Sequence, residues 1–305
     1  MNGILNIYKP AGLTSHAVVA RVRKFYGVKR VGHAGTLDPM ACGVLPVLVG
    51  SAACVQEQIM GHDKVYRAGI LFGRTTDTGD ITGTVLSETT PAFDGAALEE
   101  TLKKYTGTQM QVPPMYSALK VDGVKLYELA RKGVQVERKA REITVYGIKM
   151  PVPFDGTRCE IEVSCSKGTY IRTLAEDIGA ALGCGACLDS LERLRCGDYL
   201  AKDAVRLETL EAYYKAQDTE ALRACLQSPE ALFAAYPAVT LPAFYTRLAL
   251  NGAEIYLKRA RIPESVFSGS SICRMYDAER RFFAVGEVGD YPDGRAVKIK
   301  YRFSS

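Results

Sequence analysis

Asp38 has the sequence surroundings of a carboxylate that is presented for chemistry. Gly32 and Gly35 precede it, Pro39 follows it directly, and an apolar run covers residues 44–49. Pro39 biases Asp38 away from the helical region, and the glycines let neighbouring backbone approach closely. The segment therefore predicts a loop that holds one carboxylate above an apolar support. Because Asp-Pro is also a common turn dipeptide, an ordinary turn is the alternative.

Further segments along the chain combine polar, aromatic and glycine residues. They read Lys9-Pro10-Ala11-Gly12-Leu13-Thr14-Ser15, Lys64-Val65-Tyr66-Arg67-Ala68, Gly73-Arg74-Thr75-Thr76-Asp77-Thr78-Gly79-Asp80, Pro113-Pro114-Met115-Tyr116-Ser117-Ala118-Leu119-Lys120 and Ser164-Cys165-Ser166-Lys167-Gly168-Thr169-Tyr170-Ile171-Arg172-Thr173. Together with the Asp38 segment, and in this order over roughly residues 3–200, they resemble the tRNA pseudouridine-55 synthase (TruB) family. The resemblance implies an α+β pseudouridine synthase fold with a mixed, largely antiparallel central sheet around one cleft. It implies a catalytic domain over 1–236 and a small β-rich, PUA-like RNA-binding domain over 237–305.

The resemblance implies an enzyme that converts uridine 55 in the T loop of tRNA to pseudouridine. That isomerisation breaks the C1′–N1 glycosidic bond, rotates the detached uracil and rejoins it through C5. No electrons or atoms are lost, so we expect no cofactor and no metal. A carboxylate can serve as nucleophile or base in such a reaction, and Asp38 matches the family's catalytic aspartate. We predict that Asp38 is the nucleophile; attack at C1′, addition at C6 and elimination through a glycal all stay open.

Three side chains are predicted to surround Asp38 and the target nucleotide. Arg172 follows Tyr170 on the first turn of a helix, and the resemblance implies a bidentate ion pair between Arg172 and Asp38. A surface arginine is the alternative. Tyr66 and Tyr170 match positions that contact the nucleotide, which must be flipped out of the RNA loop to be reached. For Tyr66, stacking on the base, carrying a proton and packing in the core of a strand are all open.

The remaining predicted substrate contacts are His33, Leu191, Lys9 and Lys64. His33 matches a histidine that contacts the RNA loop, where its ring would fill the gap left by the flipped nucleotide; a general-base role is the alternative. Leu191 aligns with a leucine of the uracil pocket, and burial in a helix is its alternative. Lys9 and Lys64 lie in polar motifs near the expected cleft, so we predict that they contact phosphates.

Composition limits the cellular setting. The 305 residues are 47% hydrophobic, and Gly, Pro or charge interrupts every apolar stretch well before the ~18 residues of a membrane span. No secretory signal is recognisable at the N-terminus, so we expect a cytoplasmic protein without membrane contact. The nine cysteines are scattered. Cys184 and Cys187 form a lone CxxC pair, for which we favour reduced structural cysteines over half a zinc site or a redox pair.

The net charge of +5 is unevenly distributed. Residues 1–60 carry six Lys or Arg against two acids, and residues 237–305 carry eleven against seven. Basic ends suggest a polyanion contacted at two separate places, although ordinary solvated charge explains such counts equally well. We expect the T stem-loop of tRNA as the partner and a monomeric enzyme.

Two rival functions share these features. One is the RNA-guided branch of the same superfamily, and the other is a non-catalytic RNA-folding protein. The compact chain lacks basic low-complexity tails, which favours an enzyme that needs no guide RNA. Asp38, Tyr66 and Arg172 together argue against a purely non-catalytic role.

Capping residues and apolar periodicity predict the elements that must position these side chains. Thr14 and Ser15 begin a helix that Gly27 ends, and Asp94 begins a second one. A strand over 65–72 carries Tyr66, and a helix over 171–182 carries Arg172. Further elements are a short helix over 126–132, strands over 143–150 and 159–165, helices within 201–236, and short strands after 237.

Overall fold

The computed structural model describes residues 1–121 and 123–303. These residues contain nineteen strands and nine α-helices. The strands are β1 (Gly3–Lys9), β2 (Val31–His33), β3 (Cys42–Val49), β4 (Lys64–Phe72), β5 (Arg74–Thr76), β6 (Val85–Glu88), β7 (Gly107–Gln111), β8 (Lys120–Val121), β9 (Val124–Lys125), β10 (Arg141–Val152), β11 (Arg158–Cys165), β12 (Ala186–Cys196), β13 (Tyr199–Leu200), β14 (Val205–Arg206), β15 (Ala238–Thr240), β16 (Ile255–Tyr256), β17 (Ile272–Tyr276), β18 (Phe282–Tyr291) and β19 (Gly294–Arg302). The helices are α1 (Ser15–Tyr26), α2 (Gln56–Met60), α3 (Gly95–Lys104), α4 (Leu126–Ala130), α5 (Ile171–Ala181), α6 (Leu207–Lys215), α7 (Thr219–Ala224), α8 (Ala243–Leu250) and α9 (Leu257–Ala260). Short 3-10 helices cover Gly50–Val55, Ala201–Asp203, Pro229–Phe233 and Glu264–Phe267.

A ten-stranded mixed sheet carries the site. Its order is β14-β1-β3-β12-β4-β11-β10-β7, with β2 paired to β3 and β13 paired to β12. Only the β1–β14 and β3–β12 pairs are parallel. The mixed, largely antiparallel sheet predicted from the sequence is therefore confirmed. Its centre places β3, β12 and β4 side by side, and these strands carry or adjoin Asp38, Leu191 and Tyr66.

Strand β3 is buried on both faces, which explains its unbroken apolar sequence. Leu45 and Val47 join the large core that includes α1 and α5. Val44 and Leu48 belong to a second core on the opposite face. Successive side chains of a strand point to opposite faces, so a strand covered on both sides needs apolar residues at every position.

The helix boundaries follow the predicted caps. The Thr14 hydroxyl accepts a hydrogen bond from the backbone N–H of Ala17 at 3.0 Å, and Gly27 ends α1 in the left-handed conformation. Asp94 accepts from the N–H of Ala97 at 2.8 Å and begins α3. These bonds satisfy N–H groups that a helix leaves unpaired in its first turn.

Residues 238–303, called the C-terminal module here, form a five-stranded sheet in the order β15-β17-β18-β19-β16. The β-rich texture predicted after residue 237 is confirmed. The module has its own core, yet its Val285 and Phe303 also pack in the second core with Ile4 and Leu48 of the central sheet. The boundary between 236 and 237 stays a prediction. None of the described helices is long and apolar enough to cross a membrane.

Gly43 permits the close contact between β3 and β12. Its φ is +100°, and a Cβ built there would lie 2.3 Å from the carbonyl oxygen of Arg193. We predict that Gly43→Ala lowers the free energy of unfolding by more than about 3 kcal/mol, because backbone strain and a backbone clash add. Gly107→Ala is the matched control, since Gly107 has a φ of +112° with nothing within 4 Å of a Cβ. Chemical denaturation of both variants measures the difference, and equal losses would contradict the role given to Gly43.

Candidate active site

The N-terminal segment of residues 9–15 clamps the Asp38 loop, which comprises residues 34–41. The Ser15 hydroxyl donates to the carbonyl of Leu37 at 3.0 Å and accepts from its N–H at 2.9 Å. The N–H of Gly12 donates to the carbonyl of Pro39 at 2.8 Å. The backbone is thus held on both sides of Asp38. A loop fixed in this way presents a carboxylate in one orientation.

Arg172 pairs with Asp38, as the sequence predicts, but through a single nitrogen. Its Nε lies 3.0 Å from Oδ2 of Asp38, and the side-chain exposures are 6% for Arg172 and 33% for Asp38. The other guanidinium nitrogens donate to the carbonyls of Thr78 at 2.9 Å and Tyr116 at 2.6 Å. The predicted bidentate pair is therefore wrong. Two backbone carbonyls compete for the guanidinium and leave one oxygen of Asp38 free of it.

A tight turn delivers the Thr78 carbonyl to Arg172. Oδ1 of Asp80 accepts hydrogen bonds from the Thr78 hydroxyl at 3.0 Å and the Thr82 N–H at 3.0 Å. Gly79 has a φ of +73°, and a Cβ there would lie 2.8 Å from Oε1 of Glu176. The sequence motif over 73–80 thus shapes the backbone that orients Arg172.

A cavity of about 340 Å³ opens beside Asp38, within the size range of small-molecule sites. Tyr66, Tyr170, Leu191 and Arg172 line it together with Asp38. With Lys64, which also lines the cavity, six predicted residues therefore meet at one pocket. Leu191 lies on strand β12 and not on a helix. Leu191 and Arg193 are buried and Glu192 between them is less so, which is the alternation of a strand. Segment 117–119 and residues 168–169 complete the wall.

Tyr170 is fixed by its backbone. Its N–H donates to Oε1 of Gln111 at 2.8 Å, and its carbonyl accepts from Nε2 of Gln111 at 3.1 Å. Burial raises the pKa of Tyr170, while the charges of nearby arginines oppose the rise. A neutral phenol ring held at both backbone atoms suits contact with a base.

Arg193 is a pocket residue that sequence reasoning missed. It lines the cavity, is 1% exposed and lies opposite Tyr66 in the β4–β12 pairing. Its Nε donates to the carbonyl of Val44 at 2.7 Å, and its Nη2 donates to the carbonyl of Gly35 at 3.0 Å. The sequence signal that could have identified Arg193 is its position two residues after Leu191, since alternate residues of a strand share one face of the sheet. Burial raises the pKa of Tyr66 to about 12 against the influence of Arg193.

Lys9 contradicts the predicted phosphate contact. It is 0% exposed, and its Nζ donates to the carbonyls of Pro10 at 3.0 Å, Leu13 at 2.6 Å and Pro39 at 3.4 Å. Three carbonyls occupy the three N–H donors of an ammonium group, so none remains for RNA. Burial lowers the pKa of Lys9 to about 8. Lys9 therefore ties strand β1 to the Asp38 loop.

Lys64 is also buried, but it lines the cavity. Its Nζ donates to the carbonyls of Met60 at 2.8 Å and His62. Burial lowers the pKa of Lys64. The ammonium group of Lys64 has three N–H donors, and these two carbonyls occupy two of them. The third donor leaves room for a substrate contact, which stays a prediction.

His33 lies at the end of β2, apart from the residues that line the cavity. Its ring meets His16 edge to face, with centroids 5.4 Å apart. Burial lowers the pKa of His33 to about 4, helped by His16 and Arg193, so the ring is neutral at pH 7. Its Nδ1 is buried without a hydrogen-bond partner in the described part of the chain. The position argues against a general base acting in the pocket.

A larger groove adjoins the cavity. It has a volume of about 880 Å³ and shares Met60, Leu119, Gly168 and Tyr170 with the cavity lining. Its remaining wall includes charged residues of both signs, among them Arg141 and Lys167. The two spaces therefore adjoin along these four shared residues.

Neither a metal-ligand cluster nor a disulfide is found in the part of the chain that the structure describes. Within residues 1–121 and 123–303, no group of three or more His, Cys, Asp or Glu side chains has the geometry to hold a metal ion. All nine cysteines are free thiols, and Cys184 and Cys187 are both buried.

We predict that Lys9→Met destabilises the fold and leaves the salt dependence of RNA binding unchanged. Removing the ammonium group strands buried carbonyls, which should lower the free energy of unfolding by about 3 kcal/mol. The control is Lys202→Met at an exposed position outside the cleft, with an expected change below about 0.5 kcal/mol. Denaturation curves and binding at several salt concentrations test this. A weaker salt dependence of RNA binding in Lys9→Met would instead support the predicted phosphate contact.

Comparison with known proteins places these features in a family. The model of the N-terminal domain of TruB family pseudouridylate synthases matches residues 23–171, and that of the tRNA pseudouridylate synthase B C-terminal domain matches residues 172–234. The tRNA pseudouridine synthase B of Azoarcus sp. (strain BH72) is 43% identical over 288 residues, which cover 94% of this chain and 91% of that protein. The protein of the same name from Syntrophotalea carbinolica is 48% identical over 69% of each chain.

Solved structures support the same fold. A Cbf5-Nop10-Gar1 complex superposes with a TM-score of 0.69 at 24% identity, covering 99% of this chain and 85% of that chain. A likeness at this identity shows the fold alone. Family models and relatives at 38–48% identity together go further. The chain belongs to the TruB family of pseudouridylate synthases.

Proposed function

We propose that this protein converts uridine 55 in the T loop of tRNA to pseudouridine without a guide RNA. The observation that carries the proposal is the carboxylate of Asp38, held by Arg172 at 3.0 Å on the wall of a cavity that Tyr66, Tyr170 and Leu191 also line. The TruB family membership and the names of the relatives supply the substrate class.

The proposed reaction breaks the C1′–N1 bond, turns the uracil within the cavity and forms a C1′–C5 bond. The hydrogen on C5 leaves as a proton, and N1 gains one, so atoms and charge balance. Asp38 serves as nucleophile, because one of its oxygens is free of Arg172. The Tyr66 hydroxyl, whose pKa of about 12 keeps it protonated at neutral pH, is placed to donate or relay a proton. Leu191 and Tyr170 bound the space in which the uracil turns.

The charge around the cleft suits RNA. Three cations, Lys64, Arg172 and Arg193, line the cavity against one carboxylate. Exposed basic residues at the end of α1 and just beyond form what we call the N-terminal basic patch: Arg21, Arg23, Lys24, Lys29 and Arg30. No member of this patch forms a salt bridge with any residue that the structure describes. We propose that the patch contacts phosphates, which position an RNA without reading its sequence.

The C-terminal module offers less free charge than its composition suggests. Most of its basic residues face acids, in the pairs Arg259–Asp293, Arg274–Glu230, Arg281–Asp277, Arg295–Glu264, Lys298–Glu254 and Lys300–Glu287. Such pairs leave little net attraction for a polyanion. An RNA-binding role for the module stays a proposal that rests on the resemblance.

We further propose that the enzyme acts as a monomer in the cytoplasm. Nine free thiols fit a reducing compartment.

Purified protein is expected to form pseudouridine on an unmodified tRNA transcript, read as tritium released from C5 of labelled uridine and mapped to position 55. Asp38→Asn keeps the shape of the side chain but removes the nucleophile, so we expect activity below detection with tRNA affinity within a few-fold. Because burial holds the pKa of Asp38 above its ordinary value, its charge does not stabilise the fold at neutral pH. The variant should therefore melt close to the wild type.

Three outcomes would count against this proposal. Appreciable activity in a folded Asp38→Asn protein would remove Asp38 from the mechanism. Activity that appears only after a guide RNA is added would contradict the stand-alone enzyme. Binding of tRNA with no product from the wild type would point to a non-catalytic RNA-folding protein.

The pH dependence of the reaction should report on Asp38. Burial raises the pKa of its carboxyl, while the charges of Arg172 and Lys9 act in the opposite direction. Since the ionised form is the nucleophile, the rate should fall as pH drops through this raised value, at a higher pH than for an exposed aspartate (about 3.9). Single-turnover rates at saturating tRNA measure it. A rate that stays level down to the range of a free aspartate disagrees with this assignment.

A further inference from the structure

Arg193 is a fully buried cation beside the cavity with no step assigned to it so far. It has 1% exposure, the least of the arginines and lysines that line the cavity. No carboxylate of the described residues lies within 4.0 Å of its guanidinium. A buried charge without an opposite charge is costly, so a fold that retains one either satisfies it with dipoles or uses it.

The contacts of Arg193 join three parts of the site. Its Nε holds the Val44 carbonyl of β3, and its Nη2 holds the Gly35 carbonyl, three residues before Asp38. Across the β4–β12 pair, Arg193 lies directly opposite Tyr66, and both side chains line the cavity. One rigid planar group therefore holds the Asp38 loop and also faces Tyr66 across the sheet.

We propose that Arg193 is a positioning residue that fixes the Tyr66 hydroxyl relative to the carboxylate of Asp38. This inference rests on the proposed function. A phenol at the end of a side chain with two torsions moves by ångströms without a partner, and small misplacements of a reacting group cost large factors in rate. Arg193 removes that freedom while its own position is set by two backbone carbonyls of a different strand and loop.

A merely structural role is the competing explanation, in which Arg193 only satisfies two carbonyls and fills space. The two explanations differ in how Arg193 and Tyr66 depend on each other. A structural residue slows the reaction by the same factor whether or not Tyr66 carries a hydroxyl. A residue that acts through the hydroxyl loses most of its effect once the hydroxyl is gone.

A double-mutant cycle with Arg193→Met and Tyr66→Phe tests this, using single-turnover rates and the tRNA concentration dependence. Arg193→Met should lower kcat while KM for tRNA stays within a few-fold, and its effect should be at least about tenfold smaller in the Tyr66→Phe background. Arg158→Met is the matched control, because Arg158 is an exposed arginine paired with Leu71 at the far end of β4. We expect the control to keep the wild-type rate.

Arg193→Lys guards against a Met variant that does not fold. Lysine restores the charge and a donor, so it should recover at least about tenfold of the lost rate. Equal factors in both Tyr66 backgrounds, or Met and Lys variants that are equally slow at equal melting temperature, would overturn the inference while leaving the proposed function intact. A wild-type protein that makes no pseudouridine contradicts the proposed function, and this inference with it.

Discussion

Buried cations held by backbone carbonyls organise this site. Four such side chains surround or support the Asp38 cavity: Lys9, Lys64, Arg172 and Arg193. Of these four, only Arg172 also pairs with a carboxylate. Carbonyl dipoles satisfy the donors without cancelling the charge, so the pocket keeps a positive field that is oriented before any substrate arrives. This field is suited to an RNA phosphate and to negative charge that develops on a departing uracil. Neutralising each cation with an acid would have given a more ordinary ion-pair network and a weaker field.

The same carbonyls explain why segments distant in the chain are packed so tightly. A carbonyl reaches a buried cation only where the backbone itself comes close, and Gly43 and Gly79 make room for two of these approaches. The motif over 9–15 serves the loop and not the ligand, since Lys9, Gly12 and Ser15 all bind its backbone. Rigidity of the carboxylate is thus shared by several polar contacts that never touch substrate.

Local signals predicted much of the fold. Thr14 and Gly27 delimit α1 because caps act within one helical turn, and the strand carrying Tyr66 follows from its own composition. The pairing of Asp38 with Arg172 followed from the family resemblance. Arg193 was missed because its partners lie up to 158 positions earlier in the chain, and no local pattern encodes that register. Lys9 was misassigned for a related reason: a lysine in a polar motif is expected in solvent, and its burial depends on a loop folding around it.

The second core has a consequence for how the chain folds during synthesis. Ile4 and Leu48 on one face of the central sheet share this core with Val285 and Phe303, which are translated near the end. At about 5–20 residues per second, the ribosome leaves that face open for tens of seconds after the first strand emerges. The nascent sheet therefore exposes apolar surface until the last strands are made. A ribosome stalled before the final strand would hold a species prone to aggregation, even though every residue of the Asp38 pocket had already been made.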